Sequence, residues 1–483
     1  MKSLFWGVHF GRQMSSGWLG ALMLMFLVTA IFSLGNADLP LIDRDEPRFA
    51  EASREMMERG EWVVPSFNEV PRYDKPPLIY WMQIVCYRCL GAGEFAARFP
   101  SVFCTAAIAV ILLLWGRRLG GDLCGWVAAV TYCLCLQVLI HGRASVADGP
   151  LVLFCTIAAW SGWEWVRHPR FMPFAAFWIS MALGFLAKGP VAWIPVGMVG
   201  LLAYRSRRRG GTVPSGYSWI LGGLLMTSLV ALWGVPALSA TRGDYALIGL
   251  GKHVIGRSMM PMEGHGARGL IGYLATLPFY FLSVFLSFFP WSIWIPALLR
   301  FFRRGLSEES RYLVSGVALV FSVFTLSWTK LPHYTLPSFP FLSLLLGMWW
   351  VREGSLKLFI RVGCIAVVGF ILLPLIGFRW LKDVSVSENL VGAVREHLDS
   401  ETAVALVDFK EPSLVWLLRG RIPRHIEIIR ENEVNQWLAR EGKGVCILTS
   451  HVADRVSGAG KRIESAGINF AKGRSVKLVA MFR

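Results

Sequence analysis

The sequence predicts an all-α polytopic membrane bundle followed by a small C-terminal α/β domain, and three observations predict it. Apolar residues make up 54% of the 483 residues and are gathered into long runs, such as 18–34, 101–115 and 358–377. Cations cluster at the ends of those runs. After Leu381 the pattern changes to short apolar strands separated by polar turns. Runs near 18 residues with few charges read as membrane helices, because only a helix satisfies its own backbone in hydrocarbon. A helix of a soluble core would carry a polar stripe, and these runs carry none.

Hydropathy gives about eleven spans. They fall near 18–34, 99–115, 123–140, 149–166, 171–187, 190–204, 218–238, 272–299, 312–328, 335–350 and 357–380. The first follows Lys2 and Arg12 and has no clean small-residue cleavage site, so it is expected to remain as an uncleaved helix. The stretch 272–299 holds Pro278, Pro290 and Pro296 and is expected to be kinked or broken. The net charge is +17. Nucleic-acid binding is excluded by where the charge lies: Arg117 and Arg118, Arg167 and Arg170, 205–209 and 300–311 flank spans, the positive-inside pattern. With those loops in the cytoplasm, 38–98, 141–148, 188–190, 239–271 and 329–334 face outward. So does the tail.

The expected division is therefore 1–380 as the membrane part and 381–483 as a soluble outer domain. In the tail, 404–407, 445–448 and 476–481 read as buried strands, with 413–419 and 433–441 as helices. Eight of nine cysteines lie in or beside apolar segments, and Cys446 stands alone in the tail. Cys86 and Cys89 form a lone C-x-x-C without the second pair a zinc site needs. Buried structural cysteine is the expectation.

Chemistry-bearing residues concentrate on the outer side. In Asp43-Arg44-Asp45-Glu46-Pro47-Arg48-Phe49, Pro47 suits a first helical turn, where its missing N–H has no partner anyway. Phe49, Ala52 and Met56 then share one face, the signature of an amphipathic helix at the membrane surface. Asp45 and Glu46 sit where the helix dipole favours anions. They are either capping carboxylates or include a catalytic base. Lys75, followed by Pro76 and Pro77, is either a snorkelling anchor or a cation that meets a lipid phosphate. Asp148, before Gly149-Pro150, and Lys188, before Gly189-Pro190, each punctuate a span boundary. Gly251-Lys252-His253-Val254-Ile255-Gly256-Arg257 lets backbone approach a ligand, and Arg257 can grip a phosphate with two parallel hydrogen bonds. His253, Glu263 and His265 match no rigid metal-binding spacing, so a divalent cation has no support and no cofactor is required. Lys330-Leu331-Pro332-His333-Tyr334 adds a cation and a tyrosine at another outer boundary.

Taken in order, Asp45-Glu46-Pro47-Arg48-Phe49-Ala50-Glu51, Lys75-Pro76-Pro77-Leu78, Arg98-Phe99-Pro100-Ser101, Asp148-Gly149-Pro150, Lys188-Gly189-Pro190 and Lys330-Leu331-Pro332-His333-Tyr334 resemble the GT-C glycosyltransferases of the protein-mannosyltransferase-like family. The nearest group is the bacterial lipid A aminoarabinose transferases. Each motif is weak alone, and the ordered set over 45–337 is specific. The resemblance does not cover the tail. It implies a polyprenyl-phosphate-linked sugar as donor, a lipid or glycan acceptor of the lipid A kind, and a multi-pass protein of the inner membrane acting on the periplasmic face among membrane lipids. It implies Asp45 as leading catalytic carboxylate and Asp148 as a second acid. Lys75, Arg257 and Tyr334 take donor-phosphate roles, with Arg48 in support. Glu46, Lys188 and His253 are further binding candidates. A protein O-mannosyltransferase is the alternative acceptor class. A flippase or transporter of lipid-linked sugar would put polar groups near mid-membrane, and a non-catalytic assembly protein would use the tail for docking.

Overall fold

The structure, a computed structural model, describes residues 17–256, 269–456 and 461–483. It divides into two compact units. The first comprises 1–33, 73–79 and 100–371, and the second 34–72, 80–99 and 372–483. The second unit thus takes in segments of the first outer loop together with the tail.

Among its described residues the first unit is built from helices and the turns between them. Among the described residues, six helices are long and apolar enough to cross a membrane, or seven if a bent pair counts as one span. Part of the difference from about eleven comes from helices that are unbroken but too short or not apolar enough to be counted, Gly17–Ser33 and Asp148–Arg167, and part from breaks inside apolar runs. The run 123–140 divides into Asp122–Cys133 and Leu136–His141. The run 190–204 opens with the tight turn Pro190–Trp193 before Ile194–Arg208. The proline-rich run divides into Gly269–Thr276, Phe279–Ser287 and Ile295–Arg303, with a 41° bend between the first two. Each break follows from a proline that removes a backbone donor, or from a local unwinding.

The second unit contains the α/β fold. Its small hairpin pairs β1 (Ser66–Phe67) with β2 (Val70–Pro71). Its main sheet contains β3 (Ala403–Leu406), β4 (Glu427–Ile428), β5 (Gly444–Thr449), β6 (Arg462–Asn469) and β7 (Arg474–Phe482), in the order β4-β3-β5-β7-β6. The first three run parallel, and β7 and β6 close the sheet antiparallel. Side chains alternate across a sheet with period two. Val404, Leu406, Val445, Ile447, Leu478 and Ala480 therefore pack into one core, against helices Val386–Val394 and Pro412–Arg419. Ala405, Val407, Cys446, Leu448, Val479 and Met481 pack into another core on the opposite face, with Val434 and Trp437. Burial on both faces is why those strands read as unbroken apolar runs. The edge strand β6, with alternating exposed residues, and the two-residue β4 carried no such signal.

Candidate active site

Three of the expected site residues, Asp148, Lys188 and Tyr334, meet at one boundary of the first unit, and helix geometry explains the meeting of the first two. Helices Asp148–Arg167 and Phe171–Lys188 have nearly equal lengths and are joined by three residues. Such a hairpin runs antiparallel and returns the end of the second helix to the start of the first. Asp148 is the first helical residue of one, Lys188 the last of the other. Each suits the dipole at its own helix end. Lys188 Nζ donates to Asp148 Oδ1 at 2.6 Å, and both groups are nearly buried. Gly149 allows this placement, because a Cβ there would lie 3.1 Å from Ser101 Cα of the neighbouring helix Glu94–Gly120.

Two histidines and a tyrosine surround the pair. His141 ends helix Leu136–His141 and shares a 2.8 Å contact with Gln137. Its ring stacks on His333 at 4.7 Å between centroids. His333 stands edge-on to Tyr334, and Lys188 Nζ lies 5.6 Å from the Tyr334 ring centroid. His333 also lies within the electrostatic field of Asp148, Lys188 and Lys75. Lys75 is held by its backbone. The Tyr245 hydroxyl donates to the Lys75 carbonyl, the Tyr73 and Tyr245 rings pack at 5.3 Å, and Gly249 leaves room for the Tyr73 carbonyl 2.9 Å from where a Cβ would be. The wide-turned helix Ala246–Gly256 that carries Gly249 leads toward Arg257. Arg257, the His253 side chain, Glu263 and His265 lie outside the described residues.

Lys330 has a different place from its neighbours. Its ammonium donates to the carbonyls of Phe324, Thr325 and Ser327, and so satisfies the orphan acceptors at the end of helix Glu308–Leu326.

Asp45, Glu46 and Arg48 belong to the second unit, on helix Asp45–Arg59. Asp45 is exposed at its first turn. Glu46 is engaged by Arg98 through two parallel hydrogen bonds of 3.0 and 2.7 Å, and it accepts from Ile42 N at 2.8 Å. Arg98 is fully buried and also donates to Asn36, Leu39 and Pro40 carbonyls. This bidentate clamp fixes the loop that leads into the helix. Arg48 lies within the field of Asp43.

The polar face of that helix is not exposed, contrary to a helix lying at the membrane surface. Phe49, Ala52 and Met56 are buried as expected, and so are Glu51, Arg54 and Glu55. Helix Pro412–Arg419 of the α/β fold engages Glu51 and Arg54, while Glu55 accepts from Ser66 Oγ at 2.6 Å and from Glu69 N at 3.1 Å. Arg419 Nε reaches Glu51 at 3.3 Å, and Arg54 donates to the Trp416 carbonyl at 2.9 Å and stacks on its ring. At the other end of the same helix, Ser413 N donates to Asp43 Oδ1 at 2.8 Å and Ser413 Oγ to Oδ2 at 2.5 Å. Asp43 thus occupies a helix N-terminus, the natural seat of an anion. Burial pushes its carboxyl up to about 6, against the lowering effect of the two Ser413 bonds. Asn68 and Ile426 exchange a further pair of hydrogen bonds. None of these partners is visible from sequence, because each joins residues more than 350 positions apart.

The apolar helices are those of a polytopic membrane protein, with a polar cluster at one boundary of the helical unit. Residues 74–233 match the family described as dolichyl-phosphate-mannose-protein mannosyltransferase. Over 319 residues the chain is 32% identical to the undecaprenyl phosphate-alpha-4-amino-4-deoxy-L-arabinose arabinosyl transferase of Pectobacterium carotovorum, covering 63% of this chain and 54% of that protein. A similarly named transferase from Sodalis glossinidius is 30% identical over 371 residues, covering 73% of this chain and 64% of its own. The chain therefore spans between about half and just under two thirds of the length of these relatives. Its fold matches the crystal structure of ArnT from Cupriavidus metallidurans bound to undecaprenyl phosphate, with a TM-score of 0.76 over 96% of this chain and 98% of that one, at 17% identity. The chain is thus similar to the aminoarabinose transferases and, over residues 74–233, to the protein-mannosyltransferase family, in line with the resemblance of the ordered motifs.

Proposed function

We propose that this protein moves a sugar from a polyprenyl-phosphate carrier to a lipid or glycan acceptor of the lipid A kind, on the periplasmic face of the bacterial inner membrane. The observation that carries the reading is the gathering of Asp148, Lys188, His333 and Tyr334 at one boundary of the helical unit, with Lys75 in electrostatic reach of His333; Lys75, Asp148 and Lys188 lie inside the region that matches the transferase family. A buried acid held by a lysine, with a further cation, Lys75, in electrostatic reach, suits a departing phosphate and not a hydrophobic cargo.

In this reading the sugar is transferred by a single displacement at the anomeric carbon, which inverts it. The bond from the anomeric carbon to the carrier phosphate breaks as the bond to the acceptor oxygen forms. Asp45 takes the acceptor's proton, or orients the acceptor where that is already a phosphate. Lys75 and Arg257, aided by Tyr334, neutralise the lipid phosphate that leaves. One preorganised donor of this kind contributes roughly 3 kcal/mol to the transition state. Asp148 keeps Lys188 in place beside Tyr334. No cofactor enters the scheme.

Membranes carrying the protein, supplied with labelled undecaprenyl-phosphate sugar, test the reading. Label is expected in the lipid fraction, and Lys75→Ala is expected to abolish it. Label in protein would replace the acceptor with a polypeptide. No transfer with any polyprenyl-phosphate sugar would sink the reading.

A further inference from the structure

The second unit carries a cleft of about 520 Å³ that the transfer chemistry does not use. Small-molecule sites commonly span roughly 300–1,000 Å³. Four separate stretches line it: Arg54 from helix Asp45–Arg59, Glu94 with its preceding turn, the stretch from Lys382 to Arg395, and the stretch from Trp416 to Arg421. Arg54 and Trp416 form a fixed wall, with the guanidinium 4.1 Å from the ring centroid, and Trp416 Nε1 donates to Glu94 at 2.8 Å. The remaining charges are open to solvent or nearly so. Lys382, Arg395 and Arg421 are exposed and enter no ion pair or side-chain hydrogen bond among the described residues. Glu388 is partly buried in the fields of Lys382 and Arg421, with Asp383 also lining the cleft.

The cleft's depth in the membrane follows from chain continuity. Glu94 opens the apolar span Glu94–Gly120, and Lys382 stands near the end of the apolar span Leu356–Val384. Both are the ends away from the Arg-rich loops, the ends that the charge rule assigns to the outer headgroup level. A purely anionic ligand would face Glu388, Asp383 and Glu94. A purely cationic one would face three unpaired cations. Only a group with both charges answers the lining, and carboxylates favour an ammonium that still has N–H bonds to donate.

We propose that this cleft binds the headgroup of a membrane lipid bearing a phosphate and a primary ammonium, of the phosphoethanolamine type. Lys382, Arg395 and Arg421 receive the phosphate, and Glu388 with Asp383 accepts from the ammonium. A lipid held there tethers the α/β fold to the bilayer without touching the transferred sugar.

The test uses the full-length protein purified in detergent and offered equal amounts of short-chain phosphatidylethanolamine, phosphatidylglycerol and phosphatidylcholine. Retained lipid is counted by native mass spectrometry, and O-phosphoethanolamine is titrated in parallel. Phosphatidylethanolamine is expected to be retained over the other two. Lys382→Ala with Arg421→Ala is expected to weaken its retention about tenfold, as for loss of a charge-assisted hydrogen bond. Both side chains are exposed, so the variant is expected to keep the wild-type thermal transition. Glu388→Gln is expected to reduce phosphatidylethanolamine to the level of phosphatidylglycerol and to spare the latter. Equal retention of all three lipids, or unchanged retention in the paired variant, overturns the proposal. Binding of O-phosphoethanolamine with no lipid preference assigns the cleft to a soluble phosphoester and overturns the lipid source. Transfer activity is not read, so the outcome is independent of the function proposed above.

Discussion

Replacing Lys188 by methionine isolates the charge at the centre of the boundary cluster while keeping most of the side chain's length. Lys188 Nζ lies 2.6 Å from Asp148 Oδ1, with side-chain exposures of 15% and 8%. At that separation, and an effective dielectric near 20, the Coulomb attraction is about 6 kcal/mol. Desolvation of both ions offsets much of it. Losing one partner strands the other charge, at a cost of ~3–5 kcal/mol. Lys188→Met and Asp148→Asn should each destabilise by that order. The double variant leaves two neutral groups and should cost clearly less than the sum, with a coupling of about 2–3 kcal/mol. Equilibrium unfolding of the four proteins in detergent gives the cycle. Turnover of a polyprenyl-phosphate sugar, measured on the same samples, separates folding from chemistry: the double variant should recover stability and remain inactive. Additive destabilisation would refute the coupling, and an active double variant would remove Asp148 from the reaction.

Three further outcomes are expected. Asp45→Asn should abolish transfer while the protein still folds and binds donor lipid, and near-normal turnover would end its assignment as base. Burial raises the Asp43 carboxyl to about 6 from an ordinary 3.8. The folded protein therefore holds an extra proton between those values, so this group's contribution to stability is full below about pH 4 and is lost as pH rises through about 6. Asp43→Asn does not titrate. Its unfolding free energy should change less than that of the wild type between about pH 4 and pH 7 by chemical denaturation, and an identical slope would show that Asp43 is already ionised there. Arg98→Ala leaves Glu46 buried without its fork and three carbonyls without their donor. It should cost at least ~3–5 kcal/mol, read as lost yield of folded protein, whereas normal yield would mean that the clamp adds little.

The helical unit was legible because its signals are local. A span declares itself by consecutive apolar residues, and Asp148 and Lys188 stood out as single charges at span ends. That the two would meet was implicit in two helices of matched length joined by a short turn. The count of spans was less legible, since apolar composition survives a break such as that between Cys133 and Leu136. In the tail, β3, β5 and β7 showed as apolar runs because both faces of the sheet are covered. The strand β6 and helix Val386–Val394 went unseen because polar residues interrupt both.

The first outer loop shows where reading from sequence stops. An amphipathic helix at the membrane surface would leave Glu51, Arg54 and Glu55 open; Glu51 and Arg54 are engaged instead by a helix that arrives from residues 412–419, and Glu55 by Ser66 and Glu69. Glu46 and Asp45 were indistinguishable as neighbouring acids at a helix start. Only the arrival of Arg98 separates the engaged carboxylate from the exposed one. The sequence by itself determined the membrane class, the charge asymmetry of the loops and the ordered motifs, because hydropathy and charge act over a few consecutive residues. The tertiary structure alone decided which charges are partnered and which are open. Coulomb attraction and hydrogen bonding depend on ångström separations between residues that lie hundreds of positions apart in the chain.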